Sequence, residues 1–288
     1  TKGVSKYIDS HQYDVVQSHE RMPGCNIYRA GDGLHVKWLS LRERAGFGAS
    51  RFNLYHSYVL DAEKRMFNSS KLKYVICNSK MQEIAHFFPA AKDKCRLIYN
   101  GVDLQRFSYP VASEVRQQTR RSLALKEDQP VLAFVGSGFQ RKGLKQAIDA
   151  IQAVSKDIAI IVVGGDKNRE KYINYARSQL GTGRAIFVGE TRPDAYLASA
   201  DAFLLPTLYD PFPNSAMEAF ASGLPVLTTK QCGAAEIIKE NQNGYVFDFF
   251  NASEQKRAIQ QWLDCRSSWD DQRSLARQTV SSMTIQEK

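Results

Sequence analysis

Four short apolar runs in the second half constrain this chain more than anything else: VLAFVG (131–136), IAIIVVGG (158–165), AIFVG (185–189) and AFLLP (202–206). They are separated by stretches of helical period, the first of which places Leu144, Ala147, Ile148 and Ile151 on one face. Runs this short and continuous read as strands covered on both faces, and strands alternating with helices make a parallel, doubly wound sheet. The first half carries less regular units of the same kind: YDVVQS (13–18), YVICNS (74–79) followed by the helical KMQEIAHFF, and RLIYNGVD (96–103). The polar stretch 108–130 separates the halves as a linker with a lead-in helix, and 288 residues with 43% apolar content suffice for two cores. The expected class is α/β: two Rossmann-like doubly wound domains, residues 1–110 and 111–288, facing a cleft, with ligands at the carboxyl ends of the strands.

Other features exclude. Cys25, Cys77, Cys95, Cys232 and Cys265 are odd in number, scattered and free of CxxC spacing, which supports neither a disulfide framework nor a zinc site and fits a reducing cytoplasm. No apolar run approaches the roughly 20 residues that span a bilayer. Residues 37–96 hold twelve Lys and Arg against five acids, which is seven of the net nine positive charges. Such a segment suits phosphate-bearing lipid, anionic glycolipid or nucleic acid, and equally a plain solvated face.

The stretch GSGFQRKGLKQAIDAI (136–151) places Gly136 and Gly138 in the turn between a strand ending at Val135 and a helix beginning at Leu144. Glycine lets the backbone come close to a ligand, a helix start presents unpaired N–H groups, and Arg141 with Lys142 supply charge for phosphate. It is not the dinucleotide fingerprint, because Arg141 stands where the third glycine belongs and no acid ends the next strand. Nor is it a P-loop, since Leu144-Lys145 follows Gly143 in place of Lys-Ser/Thr. Alone, the turn also fits two solvated basic side chains. In LYDPFPNSAMEAFASGLPVLTT (208–229), Pro211 and Pro213 hold the loop extended until Asn214 can cap a helix, so that Glu218 falls in its first two turns. A carboxylate there can accept two ribose hydroxyls, and Asp210 can hold a second polyol. Either acid alone also reads as an ordinary surface or capping residue.

Together these stretches resemble retaining glycosyltransferases of the GT-B fold, specifically glycosyltransferase family 4. FVGSGFQRKGL is similar to that family's phosphate-binding turn and DPFPNSAMEAFASGLPV to its E-x7-E segment; IYNGVD (98–103), SADAFLLP (199–206), GAAEII (233–238) and NGYVF (243–247) follow in the family's order. SHERMPGCNIYRAGDG (18–33) further resembles the lipopolysaccharide core glucosyltransferases that add the first glucose to the heptose region.

The resemblance implies that Gly136, Gly138, Arg141 and Lys142 take the donor diphosphate, that Glu218 holds the ribose with Asn214 beside it, and that Asp210 contacts the transferred sugar. His19 matches a histidine beside that sugar, although a structural histidine at a strand end fits equally. The implied reaction is metal-independent hexose transfer with retention, glucose from a UDP-sugar, with no cofactor and no DxD triplet for a metal. The implied partners are a membrane-bound anionic glycolipid acceptor and the inner membrane surface, with no nucleic acid, which makes a bacterial cytoplasmic protein peripheral to the membrane. The mixed aromatic and basic segment 35–52 is then the docking or acceptor-facing element, or else a plain connection. Two alternatives stay open: a GDP- or ADP-linked donor with another lipid or polysaccharide acceptor, and a non-catalytic nucleotide-sugar-binding remnant. Asp-Pro-Phe-Pro (210–213) departs from the family's Glu-Gly-Phe-Gly or Glu-Pro-Phe-Gly, shortening the carboxylate and removing an N–H at Pro213. Only some 12 residues precede YDVVQS, no methionine opens the chain, and it ends on SSMTIQEK. The expectation is an incomplete chain that binds uridine nucleotide and transfers poorly.

Overall fold

Parallel strands cannot be joined by tight hairpins, so a chain of short apolar strands needs a crossover on every return. The computed structural model of the chain, which describes residues 2–11, 13–48, 53–80, 82–110 and 113–285, contains such sheets in two compact units. Thr1–Tyr99 with Asp210–Phe212 form one unit, and Asn100–Tyr209 with Pro213–Lys288 form the other.

The first unit runs α1 (Lys2–Asp9), β1 (Gln17–Ser18), β2 (Ile27–Ala30), α2 (His35–Arg44), α3 (Leu54–Phe67), β3 (Tyr74–Cys77), α4 (Gln82–Phe87) and β4 (Cys95–Leu97). Among the described residues its strands pair in chain order, all parallel. Tyr28 and Ala30 of β2, Val75 and Cys77 of β3, and Met66 and Phe67 of α3 share one buried cluster. Phe67 meets Tyr28 edge-on at 5.8 Å and stacks on Phe88 at 4.6 Å. The carboxylate of Glu63, 1% exposed, accepts from Arg21 Nε (2.8 Å) and from the N–H groups of His35 (2.8 Å) and Val36 (3.1 Å). It thus caps α2, whose preceding residue Leu34 makes no side-chain cap bond.

This unit departs from the sequence reading. YDVVQS supplies only the two-residue β1, and the strand Ile27–Ala30 was not foreseen. The segment 35–52 begins as the helix α2, while its residues 49–52 lie outside the described residues, as does Met81 of KMQEIAHFF.

The second unit runs α5 (Ser113–Ser122), β5 (Val131–Val135), α6 (Phe139–Lys142), α7 (Leu144–Val154), β6 (Ala159–Val163), α8 (Arg169–Leu180), β7 (Ala185–Gly189), α9 (Asp194–Ser199), β8 (Ala202–Leu205), α10 (Asn214–Ala221), β9 (Val226–Thr229), β10 (Gly244–Phe247), α11 (Ala252–Asp264) and α12 (Trp269–Thr279). Its strands lie in the order β10-β9-β8-β5-β6-β7, all parallel, with every residue of β6, β8 and β9 buried. The four apolar runs are all strands, as expected. The chain winds outward from β5 through β6 and β7, then returns to the other side of β5 to lay down β8, β9 and β10. Winding therefore reverses between β5 and β8, and the loops leaving their carboxyl ends diverge.

At the opposite ends of this strand pair, Asp201 gathers three arginines. Its Oδ2 accepts from Arg120 Nη2 and Val131 N–H, both at 2.8 Å, its Oδ1 from Arg116 Nη2 at 2.5 Å, and Arg273 Nη1 lies 3.9 Å away. This ties α5 and α12 to the start of β5. Among the described residues no helix is long and apolar enough to cross a membrane. Asp201→Ala leaves Arg120, whose side chain is 3% exposed, without its carboxylate. We expect a loss of about 3–5 kcal/mol in urea unfolding followed by tryptophan fluorescence, since removing one partner of a buried pair strands the other.

Candidate active site

Gly136, Gly138, Arg141, Lys142, Asn214 and Glu218 fall in the second unit, His19 and Asp210 in the first. A helix, α7, begins at Leu144 as the sequence suggested, but between β5 and α7 the chain first makes the single helical turn α6, which was not foreseen. Gly143, at φ +77°, interrupts it. A Cβ on Gly143 would stand 1.8 Å from the Pro206 carbonyl oxygen, so only glycine lets the β5 turn close onto the end of β8. Further bonds join the two loops. The Arg141 carbonyl accepts from Leu208 N–H (2.8 Å) and Thr207 Oγ1 (3.2 Å), and Arg141 Nη1 donates to the Tyr209 carbonyl (3.2 Å). Lys142 is 8% exposed and lays its aliphatic chain along Gly136, where a Cβ would stand 3.3 Å from Cε. Both cations thus sit at the reversal of winding.

The backbone amides behave differently from the expectation. Gly136 N–H donates to Val163 O (2.9 Å), Gly138 N–H to Gly165 O (3.2 Å) and Phe139 N–H to Asp166 Oδ2 (2.8 Å). β6 and the loop after it take these three donors, which the sequence reading left for an anion, and the side chains of Arg141 and Lys142 supply positive charge to the turn. Asp166, three residues beyond Val163, was passed over because it does not end the strand. Beside this turn lies an open depression of about 730 Å³ lined by Gly138, Gly165, Asp166, Arg169, Gly189 and Glu190, at the carboxyl ends of β5, β6 and β7.

Glu218 stands in the second turn of α10, half-buried. Burial pushes its carboxyl above the usual range, Arg106 pulls it back and Asp194 pushes it further up. Arg106 forks onto Asp194, Nε to Oδ1 at 2.6 Å and Nη2 to Oδ2 at 2.8 Å, and this hydrogen bonding holds the Asp194 carboxyl below its ordinary value. The sequence reading missed both residues: Arg106 lies three residues beyond the run IYNGVD, but its partner is 88 positions away. Asn214 is corrected. It is the first residue of α10, not its cap; Pro213, at φ −68°, occupies the cap position without a side-chain bond, and Asn214 Oδ1 accepts from Asn100 Nδ2 at 2.9 Å. Proline's preset φ starts the helix one residue earlier than the asparagine signal implied.

Asp210 is buried, and Phe212, two residues on, packs its ring on Tyr99 at 4.9 Å, which groups this tripeptide with the first unit. His19 is exposed just past β1, with Nε2 3.4 Å from Gln17 Nε2. His35 and Trp38 of the segment 35–52 that was expected to dock form a ring cluster with Tyr55 and His56 of α3, His35 Nε2 lies 3.1 Å from His56 Nδ1, and beyond that segment Leu54 and Tyr55 are 87% and 65% exposed. Among the described residues no group of three or more His, Cys, Asp and Glu is placed to hold a metal ion.

Residues 115–279 match the family described as glycosyl transferases group 1, and residues 2–106 match that described as Glycosyltransferase Family 4. The chain is 30% identical over 174 residues to the uncharacterized glycosyltransferase MJ1607 of Methanocaldococcus jannaschii, covering 59% of this chain and 45% of that protein. It is 26% identical over 250 residues to lipopolysaccharide glucosyltransferase WaaG of Escherichia coli, covering 84% of this chain and 66% of that one. The chain thus spans under half and about two thirds of these relatives. A crystal structure of WaaG superposes with a TM-score of 0.82 at 23% identity, over 97% of this chain and 76% of that one. Anabaena Alr3699/HepE in complex with UDP-glucose superposes with a TM-score of 0.70 at 20% identity, over 89% of this chain and 67% of that one. The expected class, α/β with two Rossmann-like parallel-sheet domains of the GT-B type, holds.

The stitch between the loops of β5 and β8 is testable by two glycine variants. Gly143→Ala meets the Pro206 backbone, whereas a Cβ on Gly138, also at positive φ (+76°), meets nothing within 4 Å. Gly138→Ala should cost only the left-handed penalty of about 1–2 kcal/mol. Gly143→Ala should cost clearly more in the same urea titration.

Proposed function

Because the chain belongs to the glycosyl transferases group 1 family, we propose that it is a retaining glycosyltransferase of family 4 that moves glucose from a UDP-sugar to a lipopolysaccharide core or related glycolipid. The observation that carries this reading is the gathering of Arg141 and Lys142 where the winding reverses between β5 and β8. In an open α/β sheet that crevice is where ligands bind, and two cations there suit a diphosphate. The depression beside Gly138 gives a nucleoside room, and Glu218 accepts from the ribose hydroxyls. Asp210 and His19 are assigned to the transferred sugar on the resemblance alone.

The chemistry is then electrostatic. The bond from the anomeric carbon to the diphosphate oxygen breaks, a bond to the acceptor oxygen forms, and the acceptor's proton passes to the leaving phosphate, so no separate base is needed. Arg141 and Lys142 stabilise the charge that develops on the diphosphate. UDP is favoured because a relative of this fold was crystallised with UDP-glucose, and glucose and a lipopolysaccharide acceptor because WaaG is a lipopolysaccharide glucosyltransferase. The exposed aromatic and basic residues of α2 and α3 support docking at an anionic membrane surface.

Arg141→Ala combined with Lys142→Ala should weaken UDP binding at least about tenfold by calorimetry, since charge-assisted bonds are lost, with the protein still folded although less stable for want of the Arg141–Tyr209 bond and the buried Lys142 chain. Glu218→Gln should weaken it by about tenfold. Unchanged affinity in both would overturn the site. UDP should raise the melting temperature more than GDP or ADP at equal concentration; the reverse order would move the donor. Transfer from UDP-glucose to heptose-terminated lipopolysaccharide should persist in EDTA, and a strict need for added Mn would contradict the metal-free reading.

A further inference from the structure

The second unit holds another cavity, of about 390 Å³, at the amino ends of β5 and β8, the end of the sheet remote from Arg141. Tyr109, Arg116, Gln129, Asp201, Trp269 and Arg273 line it. Its floor is rich in positive charge, because Arg116, Arg120 and Arg273 converge on the single carboxylate of Asp201. Arg120 also donates to four carbonyls, but the other two guanidinium groups are not fully used. Arg273, 9% exposed, donates only through Nη1, to the Ala200 carbonyl at 3.2 Å, and Arg116 only through Nη1 and Nη2. Arg273 Nε and Nη2 and Arg116 Nε have no hydrogen-bond partner among the described residues. Burial and the charge of Arg116 hold the Arg273 guanidinium below its ordinary value, with Asp201 pulling the other way.

The mouth of the cavity has the opposite sign. Glu127 and Asp128, before β5, and Asp270, in the first turn of α12, are exposed members of the lining. Their carboxylates accept no hydrogen bond among the described residues. Both aromatic rings are already taken: Trp269 stacks on Trp262 at 4.7 Å and carries the Arg266 guanidinium at 5.3 Å, while Tyr109 lies under Arg273 at 5.6 Å and against Gly223.

We propose that this cavity is a second ligand site, for a small phosphorylated sugar, with its phosphate on Arg116 and Arg273 and its hydroxyls on Glu127, Asp128 and Asp270. Guanidinium groups with unused N–H donors at the floor of a cavity match an oxyanion, and the planar fork suits a phosphate monoester. The acidic mouth repels a second anionic group and accepts from O–H donors, which favours a polyol over a diphosphate or a dicarboxylate. A nucleobase has no ring left to stack on, and the volume leaves room for a hexose beside the phosphate. The ligand is therefore distinct from the donor nucleotide, at the other end of the same strands.

Calorimetric titration with glucose 6-phosphate tests the site, at low ionic strength and about pH 7.5, where a phosphate monoester is almost fully ionised. The parent should bind it, and glucose should not bind measurably. Inorganic phosphate should bind about fivefold more weakly or worse, for want of the hydroxyl bonds at the mouth. Arg273→Gln should lose at least about tenfold in affinity, whereas Arg141→Ala combined with Lys142→Ala should bind glucose 6-phosphate as the parent does. Hydrogen–deuterium exchange of the unaltered protein does not depend on any variant folding: glucose 6-phosphate should slow exchange at residues 127–131 and 266–273 and leave the α6 turn unchanged. Absence of binding, unchanged affinity in a folded Arg273→Gln variant, loss of binding with the Arg141 and Lys142 pair, or slowing only at the α6 turn would each overturn the inference. Inorganic phosphate or phosphoethanolamine binding as tightly as glucose 6-phosphate would overturn the assignment of a sugar.

Discussion

The second unit depends on one close approach, the contact between Gly143 and the Pro206 carbonyl. A sheet wound in two directions from β5 leaves the loops after β5 and β8 side by side with nothing in regular structure to hold them. Glycine at position 143 lets the backbones touch, and Arg141 completes the seam with its carbonyl and its guanidinium. The same residue that stitches the loops therefore carries one of the two charges offered at the crevice. Structure and site share their atoms here: the amides of Gly138 and Phe139 hold the neighbouring loop, and the side chains of Arg141 and Lys142 carry the charge.

Charge is divided between the two ends of the sheet. At the amino end, Asp201 is surrounded by Arg116, Arg120 and Arg273, and Arg120 also donates to the carbonyls of Lys126, Glu127, Ser199 and Gln129. These charges fasten α5, α12 and the loop before β5 to the sheet. At the carboxyl end, Arg141 and Lys142 lie at the crevice and Arg106 is set against Asp194. A rigid anchor at one end leaves the other end free to serve chemistry, because the strands transmit its geometry across the unit.

Much of this was legible in the residues. The strands of the second unit follow directly from apolar runs covered on both faces, and the Gly-rich turn and the carboxylate helix fall where the runs place them. The first unit was harder because its helices do not show a clean apolar stripe. Leu41 is the buried residue of α2, and α3 turns His56 and Glu63 inward among Ala62, Met66 and Phe67. A buried glutamate that caps another helix looks, in sequence, like a surface residue. Partners far apart in the chain were invisible for the same reason: nothing near Arg106 announces Asp194, and nothing near Phe139 announces that Asp166 takes its N–H. Asn214 misled because a strong capping residue followed a proline that had already started the helix.

The central claim is that a nucleotide diphosphate binds at the carboxyl ends of β5 and β8. Hydrogen–deuterium exchange with and without saturating UDP tests it most directly, because it reports where binding occurs. The account requires slower exchange across the α6 turn and through the loop from Thr207 into α10, with α2 and α3 unchanged. Slowing confined to α2 and α3, or no slowing at the α6 turn under saturating UDP, would contradict it.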